Sequence, residues 1–233
     1  RQDRQGGASV ALVGYTNAGK STLLNRLTGA DEFVADMPFA TLDTRTRQWR
    51  LPDGRTVLLS DTVGFLQRLP HHLVASFHAT LEEVVDADII VHVCDIAHED
   101  CEAQREDVIG VMADIGAGGE EGAPVIEAWN KIDLLDEEAR AVRSAEAERR
   151  SDVVMISALD GEGMDALSHL LSERLTSSHR LRTIELGVSD GGTIAWLHAN
   201  GAVEEETLKG ERMILKVRLS DVDFARFQAR TFA

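Results

Sequence analysis

Gly14-Tyr15-Thr16-Asn17-Ala18-Gly19-Lys20-Ser21, followed by Thr22, satisfies the spacing G-x-x-x-x-G-K-[ST], which presents backbone N–H groups and one ammonium to phosphate oxygens. Gly14 and Gly19 let the backbone turn and approach a phosphate where a Cβ would intrude. Lys20 can reach the terminal phosphates, and the Ser21 hydroxyl suits a magnesium ion. Asp61-Thr62-Val63-Gly64 forms a D-x-x-G element, with Asp61 on the magnesium side acting through water. Gly64 has no side chain, so its N–H can approach a γ-phosphate and register its presence. Asn130-Lys131-Ile132-Asp133 is N-K-x-D, a base-reading pattern in which the Asp133 carboxylate accepts two hydrogen bonds from the N1 and N2 edge of guanine. Adenine lacks that donor pair, so a buried acceptor would be left unpaired and discrimination of roughly 10⁴ is reachable. Ser157-Ala158-Leu159 adds a backbone contact to the base. N-K-x-D alone is a weak signal; after the phosphate loop and D-x-x-G, in that order, the set is specific.

These residues need rigid elements to hold them. Val10-Ala11-Leu12-Val13 is a short apolar run suited to a buried strand, and Leu23, Leu24 and Leu27 repeat at helical spacing. Strand, loop and helix N-terminus together make a fixed anion site. Strands are predicted over 44–51 and 55–60 around the turn Pro52-Asp53-Gly54, then at 89–93, 125–129 and 153–156. Helices are predicted over about 73–85, 99–115, 136–149 and 164–175. Such alternation implies an α/β fold with a mostly parallel, helix-covered sheet, whose ligands sit at the carboxyl ends of the strands. The polar motifs all fall there. After about residue 179 the rhythm changes: strands at 181–188, 203–207 and 213–219 surround a short helix at 192–199. The expected organisation is a linker over 1–8, a nucleotide-binding domain over 9–177, and a small α+β domain over 178–233. A unit that short buries little by itself and should dock on the first.

Of 233 residues, 43% are hydrophobic, enough for a packed core, while the formal charge of −16 argues against binding nucleic acid by bulk attraction. Cys94 and Cys101 make neither a disulfide framework nor a zinc pattern, and Cys94 reads as a small buried side chain. No stretch suits a membrane span and Arg1-Gln2-Asp3-Arg4 is not a signal peptide, so the cytoplasm is the expected location.

Beyond the phosphate loop, Phe39-Ala40-Thr41-Leu42-Asp43, Asp61-Thr62-Val63-Gly64-Phe65 and Phe77-His78-Ala79-Thr80-Leu81-Glu82-Glu83 resemble the HflX proteins of the Obg–HflX branch of P-loop GTPases. The resemblance covers residues of about 9–177 well and the remainder more loosely. It implies a GTP-hydrolysing protein that uses magnesium, associates with the large ribosomal subunit, and splits or rescues stalled ribosomes. GTP and GDP are its implied ligands, DNA is not, and a monomer is expected. It also implies that Phe39 to Asp43 line the nucleotide and that Thr41 closes on magnesium in the GTP state; by position alone Thr44 is a rival. Family members carry an N-terminal domain that this sequence does not include.

Several readings remain paired. Phe65 stands where many GTPases place a water-orienting glutamine, which implies slow intrinsic hydrolysis completed by the ribosome, unless another residue of the chain orients the water. Asn17 either shapes the loop or helps hold a potassium ion that offsets transition-state charge. Arg45, Arg47, Arg50 and Arg55 with Trp49 form either a solvated hairpin or a patch for ribosomal RNA. His71, His72 and His78 lack metal-binding spacing, and Glu204-Glu205-Glu206 reads as solvated. A GTP-dependent binding module with negligible turnover, another ribosome-assembly GTPase and a P-loop phosphotransferase are the alternatives.

Overall fold

The computed structural model describes residues 8–29, 45–62, 81–118 and 122–231. The first sheet contains β1 (Ser9–Gly14), β2 (Arg45–Arg50), β3 (Thr56–Asp61), β4 (Ile89–Asp95), β5 (Val125–Asn130) and β6 (Val153–Met155). Its order is β2-β3-β1-β4-β5-β6, with β2 antiparallel to β3 and every other pairing parallel. The helices of this unit are α1 (Lys20–Thr28), α2 (Cys101–Asp114), α3 (Glu137–Ala147) and α4 (Met164–Ser178), and residues 81–85 are also helical. The mostly parallel, helix-covered α/β architecture expected from the alternation is present.

Successive side chains of a strand point to opposite faces, and β1 divides accordingly. Val10 and Leu12 pack with Leu23 and Leu24 of α1 and Leu167 and Leu171 of α4. Ala11 and Val13 pack on the other face with Val84 and with Val108 and Met112 of α2. Burial on both faces accounts for the nearly unbroken apolar runs of β1 and β4. Trp49 is buried in the first of these cores, and Arg55 donates to the Ser172 carbonyl at 2.5 Å and the Thr176 hydroxyl at 2.9 Å, fastening the β2–β3 hairpin to α4. The sequence reading has a solvated hairpin or an RNA patch; Trp49 and Arg55 are instead packed against the fold.

The second sheet, β7 (His179–Gly187), β9 (Arg212–Ser220) and β8 (Ala202–Lys209), is antiparallel in the order β7-β9-β8. One face buries Ile184, Leu186, Leu215, Val217 and Leu219 with Leu197 of α5 (Gly191–Asn200) and Phe227 of α6 (Asp221–Thr231). The sequence reading lacks α6. Its start carries the signal: the Ser220 hydroxyl accepts from the Asp223 N–H and donates to the Asp223 carboxylate, both at 3.0 Å, an S-x-x-D cap ahead of Phe224 and Phe227. α6 also makes the docking contact, with Arg226 paired to Asp86 of the first unit.

Candidate nucleotide-binding site

β1 ends at Gly14, and α1 begins at Lys20 after Gly19, whose φ of 99° is left-handed. No side chain caps that helix N-terminus, so its N–H donors and partial positive charge face the loop. The two glycines are required by the protein as well as by any phosphate. A Cβ on Gly14 would lie 2.4 Å from the Val93 carbonyl oxygen, and one on Gly19 would lie 2.3 Å from the Asn130 side-chain nitrogen. Asn17 is exposed with φ 61°, a conformation asparagine tolerates, which favours its loop-shaping reading.

Lys20 folds back over the loop and donates to the carbonyls of Gly14 at 3.1 Å and Tyr15 at 2.9 Å. Burial lowers its pKa to about 8, with the Asp61 carboxylate pulling the other way. The Ser21 hydroxyl donates to Asp61 Oδ2 at 2.6 Å, so the end of β3 and the first turn of α1 meet at two hard oxygen donors. Beside them the Thr62 hydroxyl donates to the Leu12 carbonyl at 2.7 Å, binding the D-x-x-G element to β1. Among the described residues no group of three or more His, Cys, Asp or Glu could hold a metal. The Ser21 hydroxyl and Asp61 carboxylate fit magnesium, which takes one or two protein groups and completes its shell with phosphates and water.

At the base end Asn130 is 2% exposed and both halves of its amide are used. Its Nδ2 donates to the Ala18 carbonyl at 2.8 Å, and its Oδ1 accepts from the Ala158 N–H at 2.9 Å. One side chain therefore joins the phosphate loop to the Ser157–Leu159 segment across separations of 112 and 28 residues. A base contact from the Ala158 N–H would be shared with this bond. Arg26 of α1 adds donors to the carbonyls of Ala158, at 3.1 Å, and Leu159; the sequence reading missed it. Lys131, at φ 68°, pairs with Asp95 at 2.7 Å. Ile132 is buried, whereas Asp133 is exposed on the 3₁₀ turn Ile132–Leu134. The buried acceptor expected at Asp133 is thus a surface group, because a single turn leaves the body of the fold there; covering it would fall to the base.

The structure brings together Gly14 to Thr22, Asp61 and Thr62, Asn130 to Asp133, and Ser157 to Leu159. Phe39, Ala40, Thr41, Leu42, Asp43, Thr44, Val63, Gly64, Phe65, His71, His72 and His78 lie outside the described residues. Cys94 is buried as expected, and burial pushes its thiol pKa up. Glu127, a buried carboxylate inside β5, also went unread; a charge in an otherwise apolar strand is the signal that could have found it.

The family model described as 50S ribosome-binding GTPase matches residues 9–131, and the HflX C-terminal domain matches residues 142–231. The GTPase HflX of Magnetococcus marinus is 42% identical over 220 residues, covering 94% of this chain and 50% of that protein. The GTPase HflX of Escherichia coli is 39% identical with the same two coverages, 94% and 50%. The chain thus spans about half the length of the curated relatives it matches. Among solved structures, a GTP-binding protein from the archaeon Sulfolobus solfataricus in complex with GDP is 28% identical with a TM-score of 0.54, over 73% of this chain and 53% of that one. With both matches laid end to end along the described fold, the chain belongs to the HflX family of GTPases.

Proposed function

We propose that this chain binds guanine nucleotides and hydrolyses GTP to GDP and phosphate while engaged with the large ribosomal subunit in the cytoplasm, where it splits or rescues stalled ribosomes. The domain division read from the sequence, 9–177 for the nucleotide and 178–233 for the small unit, belongs to the same reading. The observation that carries it is the Asn130 amide, which ties the phosphate loop and the Ser157–Leu159 segment to the N-K-x-D element.

Backbone N–H groups of Gly14 to Thr22 hold the phosphates, and Lys20 leaves its two carbonyls to meet the terminal ones. Ser21 and Thr41, with Asp61 through water, would hold magnesium, and a bound ion would supply positive charge to offset that on the β- and γ-phosphates. Gly64 N–H contacts the γ-phosphate. Water oxygen attacks the γ-phosphorus as the bridging P–O bond breaks and GDP leaves with the electron pair; one water proton stays on the phosphate formed and the other passes to solvent. With Phe65 after Gly64 in place of a water-orienting glutamine, intrinsic turnover is slow and the ribosome accelerates it.

Calorimetry with GTP, GDP and ATP, and single-turnover hydrolysis with and without large subunits, test this. Guanine nucleotides should bind at least about 100-fold tighter than ATP, and subunits should accelerate hydrolysis. Equal affinity for ATP overturns the base assignment, and unchanged hydrolysis overturns the ribosomal one. Equal turnover in sodium and potassium salts would leave Asn17 as a loop former only.

A further inference from the structure

A strand buried on both faces is normally apolar throughout, and Val125, Ile126, Ala128 and Trp129 keep to that rule. Glu127 does not. It is 5% exposed, three positions before Asn130, and its register partners His92 and Val153 are also buried. A buried carboxylate costs several kcal/mol of desolvation unless its oxygens are satisfied, and well-packed apolar replacements are often no less stable. Stability alone therefore does not account for it. Local rule-breaking of this kind concentrates where function needs a fixed geometry.

Its partners show which geometry. Arg105 of α2 donates from Nε at 2.9 Å and Nη2 at 2.6 Å. Arg150 donates from Nη1 at 3.3 Å and Nη2 at 2.9 Å, and the Trp129 indole donates at 3.0 Å. Arg150 also grips Asp152 at 2.7 Å, and the Asp152 carbonyl accepts from the Glu127 N–H at 2.8 Å. Asp152 immediately precedes β6, an edge strand with only three register pairs to β5. So short a strand has few ladder bonds to set its position, yet it delivers Ser157 and Ala158. Arg143 of α3 lies over the Trp129 ring at 5.6 Å, extending the assembly to the helix that follows Asp133. Burial alone would raise the Glu127 carboxyl; the three donors overcome it and hold the pKa at about 2.

We propose that Glu127 is a positioning residue for guanine selection: through Arg150 and Arg105 it locks β6 and α2 against β5, so that Asn130, Asp133 and Ala158 present one pocket. This rests on the nucleotide reading above. It touches no nucleotide atom itself.

The test uses the whole chain with GDP, inosine diphosphate, which lacks the 2-amino group, and ADP, at 25 °C. In Glu127→Gln the ratio of inosine to guanosine Kd should fall about tenfold, because the acceptors that read the 2-amino group are displaced. Arg150→Ala, whose side chain is 28% exposed, is the milder second variant and should lower the ratio about threefold. A lowered melting temperature with the ratio unchanged in the folded variants overturns the proposal and leaves Glu127 a fold support. Should Glu127→Gln not fold, the Arg150→Ala ratio decides. If the unaltered chain binds ADP as tightly as GDP, the nucleotide reading itself has failed and the proposal falls with it.

Discussion

In the six-stranded sheet and its flanking loops charged side chains are buried: Lys20, Asp61, Asp88 and Glu127 are each 6% exposed or less. The three-stranded sheet pairs exposed charges across strands, Glu204 with Arg218, Glu205 with Lys216 and Glu185 with Arg212, while Arg182 lies over the Phe224 ring at 3.7 Å and Asp223 at the start of α6 is buried. Exposed pairs of that kind contribute little, whereas a buried charge with one partner removed destabilises strongly. The two regions share a chain and a packing logic, but among the described residues the first buries more charged groups: Lys20 and Asp61 beside the phosphate loop, Glu127 within β5 and Asp88 just before β4, against Asp223 in the second. In the second unit α6 contacts the first, where Arg226 meets Asp86. Among the described residues, buried charge is more frequent in the unit that carries the phosphate loop.

The largest effect separating the halves should come from Gly19→Ala. The added Cβ would collide with the Asn130 amide at 2.3 Å in a left-handed conformation, and GDP affinity should fall at least about 100-fold by calorimetry. Affinity within about threefold of the unaltered chain would show that the loop relaxes freely and that the Asn130 bridge is dispensable.

An intermediate effect is acid sensitivity of the first unit. Burial lowers the His92 pKa from 6.5 to about 4, with Arg105 and Lys20 adding to the shift and Glu127 opposing it. The folded state therefore disfavours the imidazolium. That stability is fully present above pH 6.5 and is lost as pH falls from 6.5 towards 4, on the order of 3 kcal/mol. Glu127 acts lower: its contribution is present above 4.5 and declines towards 2. Urea unfolding between pH 7.5 and 4.5 should show the first step, and His92→Asn should flatten it; an unchanged slope in that variant would assign the loss to other groups.

The smallest effect is expected at Lys216→Ala. Its pair with Glu205 is exposed on both sides, so melting temperature and GDP affinity should both stay within experimental error. A clear fall in either would erase the contrast between the two sheets.

The phosphate loop, D-x-x-G, N-K-x-D, the alternation that names a parallel sheet and the expected shift to a second unit were all legible in residue order, because each depends on neighbours along the chain. Helix and strand periodicities lie within a few positions, and so does the glycine spacing of the loop. α6 was written there too, in Ser220, Asp223 and the Phe224–Phe227 pair, but it is a short signal at the end of a fold that had already changed rhythm. What tertiary structure alone decided is which polar groups meet. Asn130 reaches Ala18 across 112 residues and Arg226 reaches Asp86 across 140. Glu127 gathers arginines from two different elements. Such contacts have no period and no fixed spacing. They follow from how helices settle on the sheet, and that packing drew Arg55 onto α4 and gathered two arginines around a carboxylate buried within β5.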